Sequence, residues 1–82
     1  MTRHEKLLSK FLSRPRDFKY DELIRLLKAL GYAELQESGS RVVFWNEELK
    51  HNIKIYKPHP GNVLKKYQIG LIIQELKTKN LI

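Results

Sequence analysis

An 82-residue chain carrying a formal net charge of +7 and a pI near 9.8 has room for one domain and one core. It contains no cysteine, which excludes disulfide staples and thiolate metal sites. It also contains no apolar run of about 18 residues and no signal-peptide core, so a soluble cytoplasmic protein is the expectation.

A first helix is predicted over residues 4–13, where Leu7, Leu8, Phe11 and Leu12 share one face and Ser13-Arg14-Pro15 ends the pattern. That stripe is too short for strong membrane binding. It is expected to pack on its own domain, with self-association into a homodimer as the other use of the face. A second helix is predicted over residues 20–30. Leu23, Leu26, Leu27 and Leu30 form its core stripe, Asp21 and Glu22 suit its N-terminal dipole, and Gly31 terminates it. Lys19 is a poor cap for its start.

Beyond Gly31 the period falls to two. Ala33 and Leu35 alternate with Glu34 and Gln36, and Glu37-Ser38-Gly39-Ser40 turns the chain. A second strand runs over residues 41–45, with Val42 and Phe44 on one face and Val43 and Trp45 on the other. A polar loop from Asn46 to Lys50 precedes a third strand in which Ile53 and Ile55 alternate with Lys54 and Tyr56. Short connections of this kind imply an antiparallel meander. The final helix, over about residues 66–79, places Ile69, Ile72, Ile73 and Leu76 on one face. Gly70 costs about 1 kcal/mol there relative to alanine, so a close approach to the sheet is expected to account for it, and Asn80 is the expected cap. The order describes an α+β fold resembling a double-stranded-RNA-binding domain: α-β-β-β-α, with the helices on one face of a three-stranded antiparallel sheet and an extra N-terminal helix. Residues 1–82 are read as one domain, with 1–14 as a helical extension.

Charge is unevenly distributed. From Leu49 through Gln74 there is no Asp or Glu, whereas Lys50, Lys54, Lys57, Lys65 and Lys66 all fall in that window. Such a strip is expected to face phosphate. At its centre lies Lys57-Pro58-His59-Pro60-Gly61-Asn62, where proline stiffens the backbone around a histidine and glycine relaxes it. Histidine titrates nearest neutrality, which makes His59 the candidate acid or base. His4, His51 and His59 show no metal-ligand spacing, so no metal or other cofactor is implied. His4 and His51 carry no signal for chemistry. Phe18, Tyr20, Tyr32 and Phe44 read as residues of the core or its rim. Two placements are open to the remaining aromatics. Trp45 and Tyr56 either stack bases from a bare sheet face, or Trp45 packs beneath the N-terminal helix, which needs an apolar surface to cover. The second is the expectation for Trp45.

Three segments, in this order and spacing, make the chain resemble the HicA toxin family from about Phe18 to Ile82. They are Leu26-Leu27-Lys28-Ala29-Leu30-Gly31-Tyr32, then Gly39-Ser40-Arg41, then Pro58-His59-Pro60-Gly61-Asn62-Val63-Leu64-Lys65. The resemblance implies a type II toxin–antitoxin component, a metal-independent endoribonuclease that cleaves mRNA and is neutralised by a HicB-like antitoxin covering its active surface. The family motif Gly-Ser-His has Arg41 at its third position here. Arginine stays protonated and cannot take a proton from a ribose hydroxyl, although it can hold phosphate. In one reading His59 is the acid or base, Arg41 holds the scissile phosphate, Ser40 donates to it, and Lys54, Lys57, Lys65 and Lys66 guide the RNA backbone. In the alternative the chain is a non-catalytic RNA-binding or antitoxin-binding module.

Overall fold

The computed structural model describes residues 3–58 and 61–82, in the order α1 (Arg3–Leu12), α2 (Tyr20–Ala29), β1 (Ala33–Gln36), β2 (Arg41–Asn46), β3 (His51–Tyr56) and α3 (Lys66–Thr78). The three strands form one antiparallel sheet with β2 in the centre. Phe44 stands opposite Glu34 and Ile53, and Val42 opposite Gln36 and Ile55. One sheet face therefore carries Val42, Phe44, Ile53 and Ile55, all buried together with Leu23, Leu26 and Leu27 of α2 and Ile69, Ile72, Ile73 and Leu76 of α3. Strand alternation sends Leu35, Arg41, Val43, Trp45, Lys54 and Tyr56 to the opposite face. The arrangement is the expected α+β one, with an additional helix in front.

Both main helices begin at lysines, Lys19 and Lys65, whose side chains have no acceptor to offer the first turn. The residue three positions later compensates. Glu22 Oε1 accepts from the Lys19 N–H and Gln68 Oε1 from the Lys65 N–H, each at 3.0 Å, which is the return half of a capping box. The C-termini follow the αL rule. At the end of α2, Gly31 has φ 98°, and the Tyr32 and Gly31 N–H groups donate to Leu27 O and Lys28 O. At the end of α3, Lys79 is the C-cap, and Asn80 (φ 58°) takes the left-handed position beyond it.

α1 packs on α2. Phe11 is fully buried, with its ring centroid 4.9 Å from that of Phe18, and Leu7 and Leu8 pack against the same core. One expectation changes as a result. α1 covers α2 rather than the sheet, so Trp45 does not lie beneath it; Trp45 remains on the open face, half-buried, with its indole N–H donating to Glu47 Oε2 at 2.7 Å. The apolar stripe of α1 packs on its own domain as expected, with Leu12 the member left substantially exposed. Gly70 brings a second correction. A Cβ there would meet Arg14 Nη1 at 3.1 Å, so the guanidinium after α1, not the sheet, makes the close approach.

Lys10 Nζ of α1 reaches Glu22 Oε2 at 3.0 Å. Burial opposes the Glu22 charge, but the Lys19 N–H and the Lys10 ammonium outweigh it and hold the carboxyl below its ordinary range. A lowered folded-state pKa contributes stability that is present above the unfolded-state value and lost as pH falls through the folded one. Glu22→Gln is therefore expected to flatten the acid limb of stability as pH falls through and below the ordinary carboxylate range. Urea midpoints measured across that range check this, and equal slopes in the two proteins would remove Glu22 from the account.

Candidate functional site

The segment after β3 is held at both ends by backbone. On entry, the Lys57 N–H donates to Ser40 O at 2.8 Å, and Pro58 is buried. On exit, Lys19 and Val63 form an isolated antiparallel bridge. Beside it, the Tyr20 N–H donates to Asn62 O at 2.7 Å and the Leu64 N–H to Phe18 O at 2.8 Å. Gly61 takes φ 84° within this exit, a conformation that favours glycine. Both ends are thus tied to strands and helices that belong to the core.

Ser40 and Lys57 face each other across the end of the β2–β3 ladder, and Arg41 is in register with Tyr56. The structure therefore brings the Gly39-Ser40-Arg41 turn against the start of the loop, although the two are far apart in sequence. Arg41 is exposed, 3.6 Å from Glu37 Oε2, an ion pair that a phosphate can replace at little cost because exposed pairs are worth under about 1 kcal/mol. Lys54 is exposed on the open face, Lys57 half-buried, and Lys65 and Lys66 exposed at the start of α3. His59, the candidate acid or base, lies outside the described residues. Among the described residues no three His, Cys, Asp or Glu side chains come together to hold a metal ion.

The first turn of α3 holds no acidic residue, and Lys65 and Lys66 stand beside its positive dipole end. This is the unfavourable sign for a helix start, and a bound anion would reverse it. Lys66→Glu is expected to stabilise the free protein by about 0.3–1 kcal/mol while weakening RNA binding and reducing its salt dependence. Thermal melts and salt-titrated RNA binding check both halves. A variant that is more stable yet binds RNA unchanged would take Lys66 out of the interface.

Sequence reading missed a second cluster. Tyr32 Oη lies 2.7 Å from His51 Nδ1, and His51 Nε2 lies 3.0 Å from Glu75 Oε2. When Nε2–H donates to the carboxylate, Nδ1 is left to accept from the phenol. Burial, together with the Glu75 charge, raises the Tyr32 pKa. The three groups join the end of α2, the start of β3 and the end of α3. With Tyr32 fully packed, the cluster is a tie between elements, at the opposite end of β3 from the loop. Sequence offers no signal for it, because the partners are 19 and 24 residues apart.

A three-stranded antiparallel sheet backed by helices on one face, with a clamped basic loop at one end, defines the class of small double-stranded-RNA-binding-like domains. Within it, the sequence pattern of the family described as HicA toxin of bacterial toxin–antitoxin matches residues 20–77. The chain belongs to the HicA toxin family. α1 lies outside the matched residues. No individual curated protein and no solved structure matches the chain. No helix among the described residues is long and apolar enough to cross a membrane.

Proposed function

We propose that this chain is the toxin of a type II toxin–antitoxin pair, acting as a metal-independent endoribonuclease on mRNA and held inactive by a HicB-like antitoxin. Family membership implies a toxin with a cognate antitoxin. The observation that carries the RNA-directed reading is the Lys57 N–H to Ser40 O bond. It fastens Lys57, in the acid-free window from Leu49 to Gln74 and two residues before His59 in the sequence, against the Gly39-Ser40-Arg41 turn.

In this reading residues 1–82 work as one unit, with 1–14 bracing the core. Arg41 leaves Glu37 for the scissile phosphate and stabilises charge on its oxygens during attack by the 2′-hydroxyl. His59 moves the proton, and Lys54, Lys57, Lys65 and Lys66 hold flanking phosphates. Ser40 donates a hydrogen bond to the phosphate. One proton carrier in place of two makes the rate modest. The departure at Arg41 favours a second reading, in which the surface binds RNA or the antitoxin without cleaving. Expression of the wild-type chain from a tightly controlled promoter separates the two. Growth arrest with loss of bulk mRNA is expected, and normal growth with intact mRNA, alongside RNA binding in vitro, would leave only the binding reading.

A further inference from the structure

The sheet has an open edge at β3, and its free backbone groups can be assigned from the ladder. Hydrogen-bonded and non-hydrogen-bonded pairs alternate along antiparallel strands. Ser40 and Lys57 are a bonded pair, and the register then makes Val42 and Ile55, and Phe44 and Ile53, bonded pairs too. The N–H and C=O groups of Asn52, Lys54 and Tyr56 consequently point away from β2. The Tyr56 carbonyl agrees with this assignment, since it accepts from Gln68 Nε2 of α3 at 2.7 Å. The N–H groups of Lys54 and Tyr56 have no backbone partner among the described residues.

Beside this edge runs a groove of about 280 Å³ lined by Lys54, Ile55, Tyr56, Tyr67, Gln68 and Leu71. Three of its side chains are unusually bare for their size: Tyr56 is 60 % exposed, Tyr67 67 % and Leu71 46 %. An unpaired strand edge beside an exposed apolar groove is a receptor for an extended chain. Lys54 on the open face and Lys57 at the strand end supply positive charge, and the acid-free window supplies nothing to offset it.

We infer that the antitoxin docks by strand addition: an extended segment pairs with the outward backbone groups of Asn52 and Lys54 and with the Tyr56 N–H, and alternates apolar residues, seated against Tyr67 and Leu71, with acidic residues facing Lys54. The inference rests on the toxin–antitoxin reading above. Strand periodicity produces the alternation, because successive side chains of the added strand face the groove and the open sheet face in turn. A second copy of this chain is a poor occupant. A two-fold pairing of β3 edges centred on Lys54 sets Lys54 against Lys54, with like charges directly opposed. RNA fits the edge poorly as well, since it has no ladder of alternating amide donors and acceptors to match Lys54 and Tyr56. Docking here places the partner beside Tyr56, Arg41 and the loop at Lys57, so antitoxin and RNA exclude one another.

The test is amide hydrogen exchange on the toxin alone and in complex with its cognate antitoxin. Exchange at Lys54 and Tyr56 is expected to slow at least tenfold in the complex. Lys54→Pro removes an N–H that faces away from β2, a position where edge strands tolerate proline, and is expected to weaken the complex at least tenfold. Leu71→Asp, which leaves the backbone edge intact, is expected to weaken it to a similar degree through the groove. A complex that forms while both amides stay unprotected overturns strand addition and leaves the toxin–antitoxin reading standing. Failure of any complex to form overturns that reading itself. Protection produced by a single-stranded RNA dodecamer instead of the antitoxin, or by raising the concentration of the free toxin, assigns the edge to RNA or to a second copy and overturns the inference.

Discussion

Phe11→Ala is expected to cost about 3–5 kcal/mol, the usual range for truncating a fully buried phenylalanine. A chain of 82 residues has a total stability of roughly 4–12 kcal/mol, so the truncation is expected to remove a large share of it. α1 lies outside the residues matched by the family pattern, which on sequence grounds marks it as an accessory extension. Burial argues otherwise. Phe11 is fully enclosed and its ring packs on Phe18, while the Phe18 carbonyl accepts the Leu64 N–H that sets the exit of the basic loop. A hole at Phe11 therefore reaches the loop through one side chain and one hydrogen bond. Urea unfolding of the two proteins measures the cost. A loss below about 1 kcal/mol would make α1 an ornament, and the loop would then owe its placement to α2 and β3 alone.

His59→Ala is expected to lower single-turnover cleavage of RNA by about 10²–10⁴-fold, the contribution of one general acid–base group, with RNA affinity changed by far less. Loss of rate without loss of binding assigns an interaction made in the transition state and not in the ground state. Arg41→Ala is expected to weaken both, because a phosphate-holding cation acts before and during the reaction. Arg41→His restores the family residue and with it a second proton carrier, and cleavage by this variant is expected to exceed that of the wild type. Cleavage by His59→Ala at the wild-type rate would sink the assignment of His59. An Arg41→His variant slower than Arg41→Ala would show that this site has reorganised around the guanidinium.

Much of this was legible in the sequence for identifiable physical reasons. The 3.6 period of Leu23, Leu26, Leu27 and Leu30, closed by Gly31, locates α2 to within a residue of Tyr20–Ala29. The alternation of Val42 to Trp45 assigns each side chain of β2 to a face, and the register confirms the division. Errors arose where a residue's role depends on what lies across space. α1 needed an apolar surface to cover, and Trp45 was the surface assigned to it; α1 instead found α2. Gly70 needed a neighbour, and that neighbour is Arg14, which sequence pattern had read only as part of a helix stop. His51 had no local partner and gained Tyr32 and Glu75 through the topology.

By itself the sequence determined the element order, the buried face of each helix and strand, the acid-free basic window and the family, because each is a property of neighbours along the chain. The tertiary structure alone decided that Gly39-Ser40-Arg41 meets the loop at Lys57, that α1 closes the core over Phe18, and that β3 keeps a free edge beside Tyr67 and Leu71. Those outcomes depend on strand register and helix packing, in which groups distant in sequence compete for the same hydrogen bonds and the same apolar surface.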